Sequence, residues 1–215
     1  ADGDNFMDNI DNRGGGLYCD GEGSGNECSP QITNTTFSGN SSDLTGGAIY
    51  NNGTEGGTSS PQITNATFIG NSARNRGGAI HNNGSEGASS PKITGSTFTG
   101  NSARNRGGAI YNDGDSGTSS PQITHSVFTG NSVTNGLSYG GAIANEGNNG
   151  GTSSPTITGS TFTENAAVGA AGAIFNQGGD GGTSSTQITG STFTGNSGGL
   201  YGGAVASLGN DSVGN

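Results

Sequence analysis

Apolar residues along the chain are sparse and evenly spaced, and three short signatures repeat in fixed order. The first is Ser-Pro-Gln-Ile-Thr and its variants, carrying Ile32, Ile63, Ile93, Ile123, Ile157 and Ile188. The second is Phe-x-x-Asn: Phe37 with Asn40, Phe68 with Asn71, Phe98 with Asn101, Phe128 with Asn131, Phe162 with Asn165 and Phe193 with Asn196. The third is Gly-Gly-Ala-Ile, ending at Ile49, Ile80, Ile110, Ile143, Ile174 and, as a valine variant, Val205. The period is 30 to 34 residues, and residues 71–84 and 101–114 are near-copies.

Each signature is a short apolar-bearing run bounded by Gly, Asn, Ser or Pro, which predicts strands of three to five residues between turns, with no helical periodicity anywhere. Ile32 and Phe37 are five residues apart, so strict alternation cannot turn both inward. A bend near Asn34 is therefore expected, at a position that is Asn or Gly in five of six copies, with His125 the exception; Asn and Gly tolerate the left-handed backbone that such a corner needs. One repeat then reads as three strands and three corners, a full turn of a parallel β-helix. Three buried side chains per turn supply about 5 to 9 kcal/mol, less than the cost of ordering thirty residues, so a coil holds only when stacked on others. Seven coils at β-spacing give an all-β rod of about 34 Å.

The stacking aligns Asn40, Asn71, Asn101, Asn131, Asn165 and Asn196 in one column and Asn51, Asn82, Asn112, Asn145 and Asn176 in another; stacked amides can hydrogen-bond along the axis. The whole chain, 1–215, forms one domain: a partial first coil over 1–30, repeats over 31–205 and a tail over 206–215. Cys19 takes the first place of the second Asn column, and its spacing to Cys28 fits a disulfide that closes one loop and favours an oxidising compartment.

Composition narrows the function classes. With 46 Gly, no Trp and 26% apolar residues, a layered globule is excluded. Sixteen acids against six Lys and Arg give a net charge of -10, which disfavours nucleic acid, and no apolar run is long enough to span a bilayer as a helix. Polysaccharide-cleaving β-helices need carboxylates converging on one face. Here the acids Glu55, Glu86, Asp113, Asp115, Glu146 and Asp180 read as residues of Gly-rich loops, so no catalytic residue is assigned and no cofactor is expected.

Tandem Gly-Gly-Ala-Ile and Phe-x-x-Asn motifs resemble those of the chlamydial polymorphic outer-membrane proteins and other bacterial right-handed β-helix surface proteins. Counting Phe6 with Asn9 and the variant at residues 14–17, the motifs recur seven times. The resemblance implies a right-handed coil, a cell-surface or extracellular location, and a passenger with adhesive activity.

Several surface features remain as candidates. Glu55, Glu86 and Asp115 align as ligands for Ca²⁺; the alternative is that they are solubilising turn residues. Arg74 with Arg104 and Arg76 with Arg106 align as an anion patch for a sulfated or carboxylated glycan. Thr33, Thr64, Thr94, Thr124, Thr158 and Thr189 form a Thr column, with a second small-polar column two residues on. Tyr18, Tyr50, Tyr111 and Phe175, interrupted by His81 and Ala144, form an aromatic stripe that either packs under the loops or faces a partner.

The chain enters a coil at Phe6 without a preceding Ile strand and leaves after Val205 without a bulky cap, so its strand edges are expected to be open. The expectation is a head-to-tail homopolymer in which Val213 fills the vacant Ile position beside Phe6 of the next copy by β-strand addition. The alternative is the passenger of a larger surface adhesin.

Overall fold

The computed structural model describes residues 1–210; Val213 lies outside the described residues. All described regular structure is β, in 27 strands. They form four parallel sheets, three of seven strands and one of six, in which each strand hydrogen-bonds to its counterparts one coil before and after. The molecule is a parallel β-solenoid of seven coils.

The isoleucine sheet runs from Gln31–Thr33 to Gln187–Thr189, and the phenylalanine sheet from Asn5–Met7 to Thr192–Thr194. The asparagine sheet runs from Leu17–Asp20 to Val205–Asn210. The fourth sheet, the serine sheet, adds a short strand to the three expected per coil. Ile10–Arg13 and Ser41–Thr45 continue as two-residue strands such as Ser72–Ala73 and Ser102–Ala103. With two residues and only Ser, Ala or Val at most places, this strand has no apolar signature of its own.

The corners follow the backbone chemistry. Asn34, Asn65 and His125 adopt φ of 52°, 51° and 49°, and Gly95, Gly159 and Gly190 replace them in other coils. The Gly-Gly pair has a second reason: a Cβ on Gly78 would run into the carbonyl oxygens of Gly108 and Ser102, so only glycine lets the coils approach there.

Register is in phase in the isoleucine, phenylalanine and asparagine sheets, with Phe98 beside Phe68 and Phe128, Ile93 beside Ile63 and Ile123, and Ile110 beside Ile80 and Ile143; the fourth sheet shifts register once, between Asp11 and Arg13. The rings from Phe6 to Phe193 form one pile, with centroids 4.6 to 5.0 Å apart and planes within 8°. Ile32, Ile63, Ile93, Ile123 and Ile157 and the Ala-Ile pairs from Ala48–Ile49 to Ala173–Ile174 complete one continuous core. Each side chain packs on a copy of itself, so one good rotamer suffices for the whole column.

Cys19 pairs in register with Asn51, and its sulfur is bonded to Cys28. The disulfide secures the loop of the first coil.

Candidate functional site

Three places concentrate chemistry beyond core packing: the axial amide ladder with the coil faces it reaches, the outer surface of the asparagine sheet, and a groove on the serine sheet.

The ladder begins with Phe-x-x-Asn. The side chain of Asn101 is fully buried; its Oδ1 accepts from the Asn71 backbone N–H at 3.0 Å and from Asn71 Nδ2 at 2.9 Å. Its own Nδ2 donates to the Phe68 carbonyl at 3.0 Å and to Asn131 Oδ1 at 2.9 Å. Every polar valence of the amide is used, and the pattern runs from Asn9 to Asn196. The ladder has a direction: amide donors point toward the next coil and carbonyl acceptors toward the preceding one. The second column, Asn51 through Asn176, runs the same way and ends on Ser207 Oγ.

At the two outermost coils the core columns lie nearer the surface. Phe6, Leu17 and Phe193 pack only partly against the core, and Ile188 and Val205 are each 37% exposed, against 0% for Ile157 and Ile174 one coil inward. The isoleucine position of the first coil is not vacant, contrary to expectation. Asp2 bridges Thr33, and the Ala1 carbonyl and Gly3 N–H bond to Thr33, which puts Ala1 beside Ile32. A methyl stands where the other coils carry isoleucine.

The outer surface of the asparagine sheet is the unexpected region. The aromatic stripe packs under its neighbours: Tyr111 and Phe175 are fully buried, Tyr50 and His81 nearly so, and only Tyr18 is exposed. Arg76 lies 5.0 Å from the Tyr111 ring centroid and donates to the Tyr111 hydroxyl at 3.0 Å. That hydroxyl donates to Glu146 Oε2 at 2.5 Å, while Arg106 pairs with Glu146 Oε1. Arg76 also faces Asp113 at 3.8 Å. Asp113 and Glu146 therefore lie within strands rather than in loops, Glu146 almost fully buried. Arg76 and Arg106 are committed to these acids, so the four-arginine patch divides into two unlike pairs.

Burial governs the protonation of this network. It pushes the Asp113 carboxyl and the Tyr111 hydroxyl up, the former opposed by Arg76, and lowers Arg106. His81 is held well below its ordinary 6.5 by burial first, then by Arg76 and Arg13, and neither ring nitrogen has a hydrogen-bond partner. Asp113 is its nearest acid, at 4.0 Å. The groups face one another, an arrangement that fastens coils rather than one open to a substrate. Each arginine meets an acid one coil further on; that offset is the signal in the sequence that could have revealed the network.

The calcium candidates do not converge. Glu55 and Glu86 occupy the positive-φ corner, where the next coil places Ser116 rather than Asp115, and among the described residues no three acids, His or Cys gather as metal ligands. The small-polar column two residues beyond Thr33 faces inward: Thr35, Ala66, Ser96, Ser126 and Ser160 are 1% exposed, so no broad flat Thr array forms. On the serine sheet, Arg74 and Arg104 flank a groove of ≈ 460 Å³.

Three segments, residues 34–52, 65–83 and 95–113, match the family model of the Chlamydia polymorphic membrane protein (Chlamydia_PMP) repeat. Each runs from the corner before a core phenylalanine through the Gly-Gly-Ala-Ile strand, so the matched unit contains the amide ladder. Neither a curated protein nor a solved structure matches the chain. No helix among the described residues is long and apolar enough to cross a membrane.

Proposed function

We propose that the chain is a non-catalytic structural module of a secreted or surface-displayed fibre, extending head-to-tail by strand addition between coil faces. The polarity of the Asn ladder carries this reading. The coil of Asn9 presents a carbonyl acceptor, the coil of Asn196 presents amide donors, and each interior junction joins such a pair. The Phe pile and the strand edges continue across the same junction, so a further coil meets partners for its backbone, amide and ring together. Because the two faces differ, the contact propagates without closing. The net charge of -10 opposes association, so growth rises with salt as the Debye length shortens to about 8 Å at 0.15 M.

Sedimentation velocity over a concentration series tests it. The 215-residue chain is expected to form growing polymers, more so at higher salt, and Phe193→Asp, which puts a carboxylate on one face, is expected to remain monomeric with unchanged far-UV circular dichroism. A monomer at every concentration and salt would overturn the reading. The second reading is the passenger of a larger surface protein, in which further coils of the same polypeptide supply the neighbour; the Chlamydia polymorphic membrane protein repeat favours it.

A further inference from the structure

The two arginine pairs created by the duplicated segments have different surroundings. Arg76 and Arg106 each meet an acid, Asp113 and Glu146, on the outside of the asparagine sheet. Two residues earlier, Arg74 and Arg104 follow directly on the paired strands Ser72–Ala73 and Ser102–Ala103, so their backbones stand one coil apart. Both side chains are exposed. Arg74 has one loose partner, Asp43 at 3.8 Å, and both of those side chains are more than 60% exposed. Among the described residues Arg104 has no ion pair. Like charges on adjacent coils repel, and among the described residues no buried acid offsets this for either arginine.

Between them lies the groove of ≈ 460 Å³, with Ser102 and Ala103 beside it and Thr134 and Asn135 on the side of the following coil. Its rim is firm. Asn105 Nδ2 donates to Asn75 Oδ1 at 2.7 Å, Asn135 Nδ2 donates to Asn105 Oδ1 at 2.8 Å, and the Asn135 N–H bonds to the Arg104 carbonyl. The arginines therefore project from a fixed backbone, and the next coil continues the groove with a hydroxyl and an amide rather than a third cation.

We infer that this groove binds a short anionic oligosaccharide, its sulfate or carboxylate groups held by Arg74 and Arg104 and its hydroxyls by Ser102, Thr134 and Asn135. A guanidinium offers a planar fork of donors that fits sulfate and carboxylate oxygens. Two cations with neutral hydrogen-bonding groups suit a ligand whose charge alternates with hydroxyls. A nucleic acid presents an unbroken row of phosphates and needs a longer run of cations than these two. The site is independent of whether the chain polymerises.

Isothermal titration calorimetry of the 215-residue chain at 0.15 M salt, with a heparin-derived hexasaccharide as probe, decides the matter. Arg74→Gln/Arg104→Gln is expected to weaken binding about tenfold or more, since charge-assisted hydrogen bonds are lost. Arg13→Gln/Lys92→Gln removes two exposed charges elsewhere and is expected to change it less than about twofold. The desulfated, N-acetylated hexasaccharide is expected to bind more weakly than the sulfated probe. No binding by the parent chain, an equal loss in both double variants, or tighter binding of a single-stranded 12-nucleotide DNA would each overturn the inference.

Discussion

The interior amide ladder and the outer surface of the asparagine sheet both join coil to coil through buried polar groups, yet they are built in opposite ways. The Phe-x-x-Asn ladder is neutral and alike from coil to coil, and at interior levels such as Asn101 every donor and acceptor is engaged; at the start of the second column the buried Asn51 Oδ1 lacks a partner among the described residues. The outer network is charged and changes along the stripe: Tyr50 stacks beside Tyr18 but then meets His81, His81 meets Tyr111, and Ala144 meets Phe175. It leaves Arg76 Nε and both His81 nitrogens unpartnered. The difference teaches that repetition solves polar burial once for all coils, whereas a charged solution must be rebuilt at each coil and stays incomplete.

The largest expected effect lies on the ladder. Asn101→Leu strands the Asn71 N–H, the Phe68 carbonyl and one amide valence on each neighbouring Asn, all buried. At about 1 to 3 kcal/mol per unsatisfied group, a loss of about 4 kcal/mol or more in urea unfolding is expected, and a loss under about 1 kcal/mol would remove the ladder from its place in the account.

A smaller effect is expected on the outer surface, where the comparison sharpens. Arg106→Met alone leaves Glu146 buried without its cation and is expected to cost about 3 kcal/mol. The double variant Arg106→Met/Glu146→Gln should recover most of this, because one coil on the corresponding positions are already uncharged, Tyr139 beside Arg106 and Gln177 beside Glu146. Urea denaturation of the three chains checks it; equal losses in single and double variants would mean that the ion pair itself is indispensable.

The smallest effect is a pH slope. His81 stays neutral in the folded chain below its ordinary 6.5, so beneath that pH the unfolded chain binds a proton that the folded chain refuses. Stability present above pH 6.5 therefore falls as pH drops, by up to about 1.4 kcal/mol per unit. Asp113, pushed up by burial, takes its proton earlier when folded and acts in the opposite sense above its ordinary 3.8, so the quantity to measure is a difference. The parent minus His81→Phe, which matches Phe175 three coils on, should show the slope in thermal denaturation between pH 6.5 and about 5. Parallel curves would contradict the assignment.

What could be read from the sequence was what stacking repeats. Ile93, Phe98 and Ile110 recur because each buries against its own copy, and the Asn34 corner is visible because an αL backbone selects Asn or Gly. The serine sheet escaped notice because Ser72–Ala73 and its counterparts contain no distinctive apolar residue. The outer network left only a faint mark, its one-coil offset, for a different reason. Arg106 and Glu146 are bonded across forty positions, and neither residue type recurs through its column, so no periodicity marks them. Arg74 and Arg76 look equivalent in sequence, and only the strand geometry sends one to the groove and the other toward Tyr111. The acids at Glu86 and Asp115 seemed aligned until one residue of offset placed Ser116 in the corner.

Electron microscopy of the purified 215-residue chain, beside Phe193→Asp, tests most directly that coil faces made of ladder and ring pile are joining surfaces. Unbranched fibres one solenoid wide, with the coil repeat of about 4.8 Å along their axis and absent from Phe193→Asp, are the predicted result; separate seven-coil rods in both samples at every concentration and salt would contradict it.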